Sequence, residues 1–238
     1  MSDIMRFSRE ISPLAGSFDA NDLMRPASVL DIFQDAAARH AELLGCGYQA
    51  MLNKNRLWVL LRNHYRVVKY PYYTQELVVS TWPKQGRLDF DRSYLLCDKN
   101  GEVLIKGISK WCVIDATTRR LVKDTRVEYP EQCPQELACS PAVKLALPRD
   151  GEKCACFTAG ISDLDHNGHM NNTRYADILQ NCLEKNEGIT ELDFNYLHEM
   201  SLGDGIEVYK KREGDKLQVW GVRDGVACFI AEATVKKI

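Results

Sequence analysis

No stretch of this 238-residue sequence is apolar for long enough to cross a membrane, because the longest candidates are broken by Arg, Lys or Asp. The first residues, MSDIMRFSREI, lack the basic region and apolar core of a signal peptide. Neither sign of charge dominates: 31 Lys and Arg stand against 33 Asp and Glu, a net charge of −2 that argues against general nucleic-acid binding. Paired cysteine knuckles are missing as well. The nine cysteines are odd in number and irregularly spaced, and Cys154 and Cys156 form a bare C-x-C without the second pair a zinc site needs. The expectation is a cytoplasmic protein with reduced thiols, in which Asn171-Asn172-Thr173 is an accidental sequon. No membrane, nucleic acid, metal or cofactor is expected.

What is present is a helix-then-strands pattern, given twice. Val29, Ile32, Phe33, Ala36, Ala37, His40, Leu43 and Leu44 recur at helical spacing, which predicts a helix over 27–44 with Pro26 in its first turn. Strand-like runs follow: RLWVLLRNHYRVV, QELVVSTWP, DFDRSYLLC and, after the turn DKNG, EVLIKGISKWCVI. Residues 129–151 hold Pro130, Pro134, Pro141 and Pro148, half of the eight prolines, and read as a linker. Beyond it a shorter helix presents Tyr175, Ile178, Leu179, Cys182 and Leu183, followed by strands LDFNYL, GIEVYKK, KLQVWGV and VACFIAEATV. The expected fold class is α+β, with one domain over 1–128 and a second over 152–238.

The duplication is visible inside the chain. Laid without gaps, FDANDLMRPASVLDIFQ and LDHNGHMNNTRYADILQ pair Asp19 with Asp165, Asn21 with Asn167, Met24 with Met170, Asp31 with Asp177 and Gln34 with Gln180. A second pairing sets EVLIKGISKW beside VACFIAEATV, so that Gly107 and Ser109 meet Ala231 and Ala233. Small residues alternating along one strand face let a helix sit close. The informative position is a mismatch: His169 faces Leu23, and Asn171 and Asn172 face Arg25 and Pro26. One copy keeps the scaffold and the other carries the chemistry.

The motif DHNGHMNN, Asp165 to Asn172, resembles the active-site motif of acyl-acyl carrier protein thioesterases. The resemblance covers nearly the whole chain and implies two tandem hotdog domains, each a central helix wrapped by an antiparallel sheet, with the site in the second. It implies hydrolysis of the thioester of a fatty acyl chain on its carrier protein. It also implies an essential carboxylate on the strand after the second helix, where NYLHEM supplies Glu199 beside the competing Glu191, Asp193 and His198. Met200 stands where plant members carry a cysteine. No transit peptide precedes the first domain, so the chain is similar to a bacterial-type member.

Such chemistry needs an activated water, an aligned carbonyl and a partner for the oxyanion. Glu199, raised in pKa by an apolar cavity, is the expected base. His169 is suited to holding that base, sharing its proton or protonating the leaving thiolate. The Asn167 amide can position water or thioester, and backbone N–H groups of Met170, Asn171 and Asn172 can bind the oxyanion. Asp165 either orients its neighbours or attacks the thioester itself. His166 is expected in solvent, His198 on a strand surface, and His40 and His64 in structural roles. Arg62, Arg66, Lys69, Arg119, Arg120, Lys210, Lys211 and Arg212 are candidates for a basic patch facing an acidic carrier protein. Trp58, Leu60, Tyr70, Tyr72, Tyr73 and Trp82 are candidates to enclose the acyl chain. The internal repeat is compatible with a monomer that is its own pseudo-dimer, or with a homodimer. An acyl-coenzyme A thioesterase and a non-catalytic acyl-binding protein are the alternatives.

Overall fold

The computed structural model describes residues 5–84, 86, 88–123 and 134–238. Its elements, in order, are β1 (Phe7–Ile11), α1 (Pro26–Leu43), α2 (Tyr48–Leu52), β2 (Arg56–Val67), β3 (Leu77–Lys84), β4 (Asp89–Asp98) and β5 (Val103–Asp115). They continue with β6 (Glu152–Thr158), α3 (Tyr175–Gln180), β7 (Glu187–Tyr196), β8 (Gly205–Glu213), β9 (Lys216–Arg223) and β10 (Val226–Lys237). All ten strands join one antiparallel sheet in the order β1-β3-β4-β5-β2-β7-β10-β9-β8-β6. The order is a palindrome: the second half repeats the first in reverse across the β2–β7 seam.

α1 begins with Pro26 at its first position, where the missing N–H costs nothing, and buries Val29, Leu30, Phe33, Ala36 and Ala37 against the sheet. The close approach rests on Gly107, since a Cβ there would lie 2.3 Å from Phe33 Cε2. Ala231 and Ala233, its counterparts under the second helix, are fully buried. α3 is only six residues long and follows a 3-10 turn, Asn172–Arg174, whose Thr173 N–H is capped by Asn171 Oδ1 at 3.1 Å. It stops before Cys182 and Leu183, as Asn and Cys add little helix propensity.

Four elements differ from expectation. β1, β6 and α2 are additional, and β7 starts at Glu187 rather than at Leu192. β1 and β6 are edge strands with few buried residues, so they carry almost no hydropathic signal. The first part of β7 is disguised by Gly188 and by Glu187, a buried carboxylate clamped by both terminal nitrogens of Arg212 at 2.5 and 3.1 Å.

At the seam, five pairs run from Arg62↔Asn195 to Arg66↔Glu191. His64 and Asp193 are directly opposite, with Nδ1 and Oδ1 3.1 Å apart on the face away from the helices. The described part of the proline-rich segment crosses that outer face as a strap. Trp82 Nε1–H donates to Glu136 O (2.9 Å), Ala138 N–H to Ser93 Oγ (3.1 Å) and Leu145 N–H to Asn195 Oδ1 (3.0 Å). Residues 129–133 of the expected linker, and the expected boundary at 128, lie outside the described residues.

His64 is buried, as its structural role requires. Burial alone would push its pKa down, but hydrogen bonds and charge from Asp193 and Cys139 outweigh that and raise it to about 10. The imidazolium thus adds stability that is fully present below the unfolded value of 6.5 and is lost as pH rises through about 10. Melting temperature measured across that window should fall by several degrees more in the wild type than in His64→Gln; parallel curves would refute the assignment.

Candidate active site

The loop 163–172 and its counterpart 17–26 are folded into the same turn. Leu164 bridges Met170 as Phe18 bridges Met24. Asp165 N–H donates to His169 O and Asp19 N–H to Leu23 O, both at 2.9 Å. Asn167 N–H donates to Asp165 Oδ1 and Asn21 N–H to Asp19 Oδ1, both at 2.8 Å. The left-handed corner falls at Gly168 (φ 79°) and at Asp22 (φ 57°). Asp165 therefore closes a turn that the copy without a histidine closes in the same way.

His169 sits where this loop meets the chain beyond β7. Met170 N–H donates to Met200 O at 2.7 Å, and His169 bridges Ser201. That contact brings His169 Nε2 to 3.5 Å from Glu199 Oε2. Glu199 lies three residues past the end of β7, not on the strand, and its side chain is 46% exposed. The desolvation expected around it is absent. Instead Arg119 Nη2, from the turn after β5, reaches Glu199 Oε2 at 2.5 Å. Arg119 is itself held in the left-handed region, φ 59°. The sequence offers Arg119 only as one of eight basic-patch candidates and gives no sign of its pairing with Glu199; Asp115 builds the turn that carries it.

Asp165, Asn167, His169 and Glu199 all line one cavity of about 510 Å³. Most of its apolar wall comes from the other half: Ala37 and Ala41 of α1, Met51 of α2, Trp58 and Leu60 of β2, Phe90 of β4 and Trp111 of β5. Gln34 of α1 also lines it and donates Nε2–H to Asn171 Oδ1 at 3.4 Å, while its repeat partner Gln180 donates to Asp19 Oδ2 at 3.3 Å. The glutamine kept in both copies was the available signal for this reciprocal contact.

Several expected positions need correction. Met170 N–H is taken by Met200 O and Asn171 N–H by Asp163 O (2.8 Å), so of the three groups expected for an oxyanion only Asn172 N–H has no partner among the described residues. Glu191 and Asp193 turn to His64 on the outer face and do not compete with Glu199. His166 and His198 both line the cavity; His166 meets the Tyr48 ring edge-on at 4.9 Å, and His198 lies on the loop, not on a strand. Of the acyl-enclosing candidates Trp58 and Leu60 line the cavity, whereas Tyr70, Tyr72, Tyr73 and Trp82 do not. Among the basic-patch candidates Arg119 alone lines it; Lys69, Lys210, Lys211 and Arg212 pair with carboxylates elsewhere.

The counterpart site in the first half has collapsed to a void of about 10 Å³ among Asp19, Leu23, Met24, Tyr65, Tyr70 and Leu183. Three residues beyond the paired glutamines, Ala37 leaves one cavity open and Leu183 fills the other. Tyr70 O–H closes it further by donating to Ile189 O at 2.8 Å.

This asymmetric pair of loops agrees with what the chain is similar to. Residues 5–128 match the acyl-ACP thioesterase N-terminal domain, and residues 149–224 match the acyl-ACP thioesterase C-terminal domain. The chain belongs to the acyl-ACP thioesterase family. Relatives in that family include the chloroplastic oleoyl-acyl carrier protein thioesterase 1 of Arabidopsis thaliana, 29% identical over 174 residues that cover 62% of this chain and 46% of the relative. The chloroplastic palmitoyl-acyl carrier protein thioesterase of Gossypium hirsutum is 29% identical over 191 residues, covering 74% of this chain and 46% of the relative. The chain thus spans about half the length of these relatives. The solved structures of an acyl-ACP thioesterase from Bacteroides thetaiotaomicron (TM-score 0.88, 22% identity) and of the 12:0-ACP thioesterase from Umbellularia californica (0.88, 21%) each match over 98% of both chains and share the tandem hotdog fold.

The two copies make opposite predictions. Leu23 is 9% exposed and packs beside Tyr70 and Gly188, so Leu23→Ala should cost about 2–4 kcal/mol of stability. Turnover by the folded variant should be retained. Loss of turnover in a stable Leu23→Ala protein would contradict the silence of the first copy.

Proposed function

We propose that this chain hydrolyses the thioester of a fatty acyl group carried on acyl carrier protein, releasing the fatty acid. The supporting observation is the single cavity that joins Asn167, His169 and Glu199 to an apolar wall supplied by the other half. Its volume falls within the range of sites that enclose most of a small ligand. The carrier preference rests on family membership.

In this reading the acyl chain lies along α1 and β2, with its carbonyl beside His169. The Glu199 carboxylate and His169 imidazole together take the proton of the attacking water, forming the C–O bond of a tetrahedral intermediate. The Asn167 amide aligns the water or the carbonyl, and the Asn172 N–H faces the developing oxyanion. Collapse breaks the C–S bond, and His169 returns the proton to the departing thiolate. The Arg119 ion pair holds the Glu199 carboxylate beside His169. Asp165 is an orienting group here, because the turn it closes is the turn Asp19 closes without any chemistry. The palindromic sheet supports a chain that supplies from its own two halves what a pair of identical single domains would supply. No helix among the described residues is long and apolar enough to cross a membrane.

Release of free thiol from acyl carrier protein and coenzyme A esters of graded chain length tests the activity and its carrier preference together. His169→Ala and Asn167→Ala should each lower turnover by about a hundredfold or more with the fold intact; near-normal rates in either would remove it from the site. Glu199→Gln should also collapse turnover, and intact-mass analysis should find no acyl group on Asp165. An adduct there would replace direct water attack with a covalent route.

A further inference from the structure

One charged side chain that the hydrolytic chemistry does not use lines the same cavity. Arg92, on β4, is 5% exposed, and its side chain points to the helix side of the sheet, toward α1. Its Nη1 donates to His40 Nδ1 at 3.0 Å and to Thr81 Oγ1 at 3.4 Å. No carboxylate among the described residues pairs with it: the adjacent Asp91 faces Lys110, 2.9 Å away. A guanidinium has five N–H donors, so three remain on Nε and Nη2. No nitrogen of Arg92 is sealed off without a partner, so these donors face open space. Arg92 is also one of the residues that line the cavity.

A buried cation with spare donors is a poor lining for an unsubstituted hydrocarbon chain, which can satisfy neither the charge nor the N–H groups. Its place along the cavity says which part of a ligand it meets. Arg92 shares a row across the sheet with Ser109, Asn63 and Phe194. That row puts it three strand spacings, roughly 14 Å, from β7, the strand that leads to Glu199. It therefore lies away from the thioester and alongside the far part of an acyl chain.

We infer that Arg92 reads a hydrogen-bond-accepting oxygen on the distal part of the acyl group, so that the favoured substrates are acyl thioesters with a hydroxyl or carboxylate near the far end. The inference rests on the thioesterase reading for the reaction, but not for the recognition. Ser109 and Asn63 are occupied, by Tyr94 and Trp111 and by Tyr196 respectively, which leaves Arg92 as the reader in this row.

The test compares acyl thioesters of one length that end in methyl, hydroxyl or carboxylate. The wild type should favour a hydroxyl- or carboxylate-terminated chain by about tenfold or more in kcat/KM, mainly through KM. Arg92→Met should erase or invert that preference. Preference for whichever oxygen group wins identifies the natural terminus. Equal or better use of the methyl-terminated chain by the wild type overturns the inference, whether or not Arg92→Met folds. If no thioester is hydrolysed, the reaction assignment fails by itself. Calorimetric binding of the three corresponding free acids then reads the Arg92 preference directly, and equal affinities would overturn it.

Discussion

The pairing of β2 with β7 is the constraint on which the rest of the molecule depends. It turns two five-stranded sheets into one and sets the helices of the two halves side by side. Arg25 then reaches Asp177 at 2.6 Å, and Gln34 and Gln180 each reach into the opposite loop. The candidate site exists only because of this joint. Its Glu199 follows β7, the Arg119 that pairs with Glu199 follows β5, and its apolar wall is built mostly from α1, α2 and β2. Neither half contains a site alone.

A twofold arrangement of this kind offers two equivalent cavities, and the chain keeps one. The difference lies in few atoms. One loop carries His169 where the other carries Leu23, and Ala37 lines an open cavity where Leu183 lines a closed one. The turn between them is unchanged, which is why Asp19 and Asn21 persist in a copy with no room for a substrate. Conversely, Asp165 is explained first as scaffold.

What the sequence discloses, it discloses through periodicity and through its own repetition. α1 and the central strands are legible because they bury one face, and His169 is legible because an unfilled copy of its loop stands 146 positions earlier, at Leu23. β1 and β6 are fixed by backbone pairing to β3 and β8, which leaves no trace in hydropathy. The choice of Glu199 over Asp193 depends on where β7 ends and which way the chain then bends. The contacts of Arg119 with Glu199 and of Arg92 with His40 join residues far apart in the chain, which no local pattern encodes.

The seam also has a consequence for how the chain is made. His64 must wait for Asp193, 129 residues later, before its strand acquires a neighbour on that side. During synthesis the first half therefore carries a sheet whose β2 edge is also open, for on the order of ten seconds at ordinary rates of elongation. Open edges recruit strands from other molecules, and the best imitation of β7 nearby is the β7 of another nascent copy. The strap that crosses the outer face beside this edge tethers the correct partner at short range.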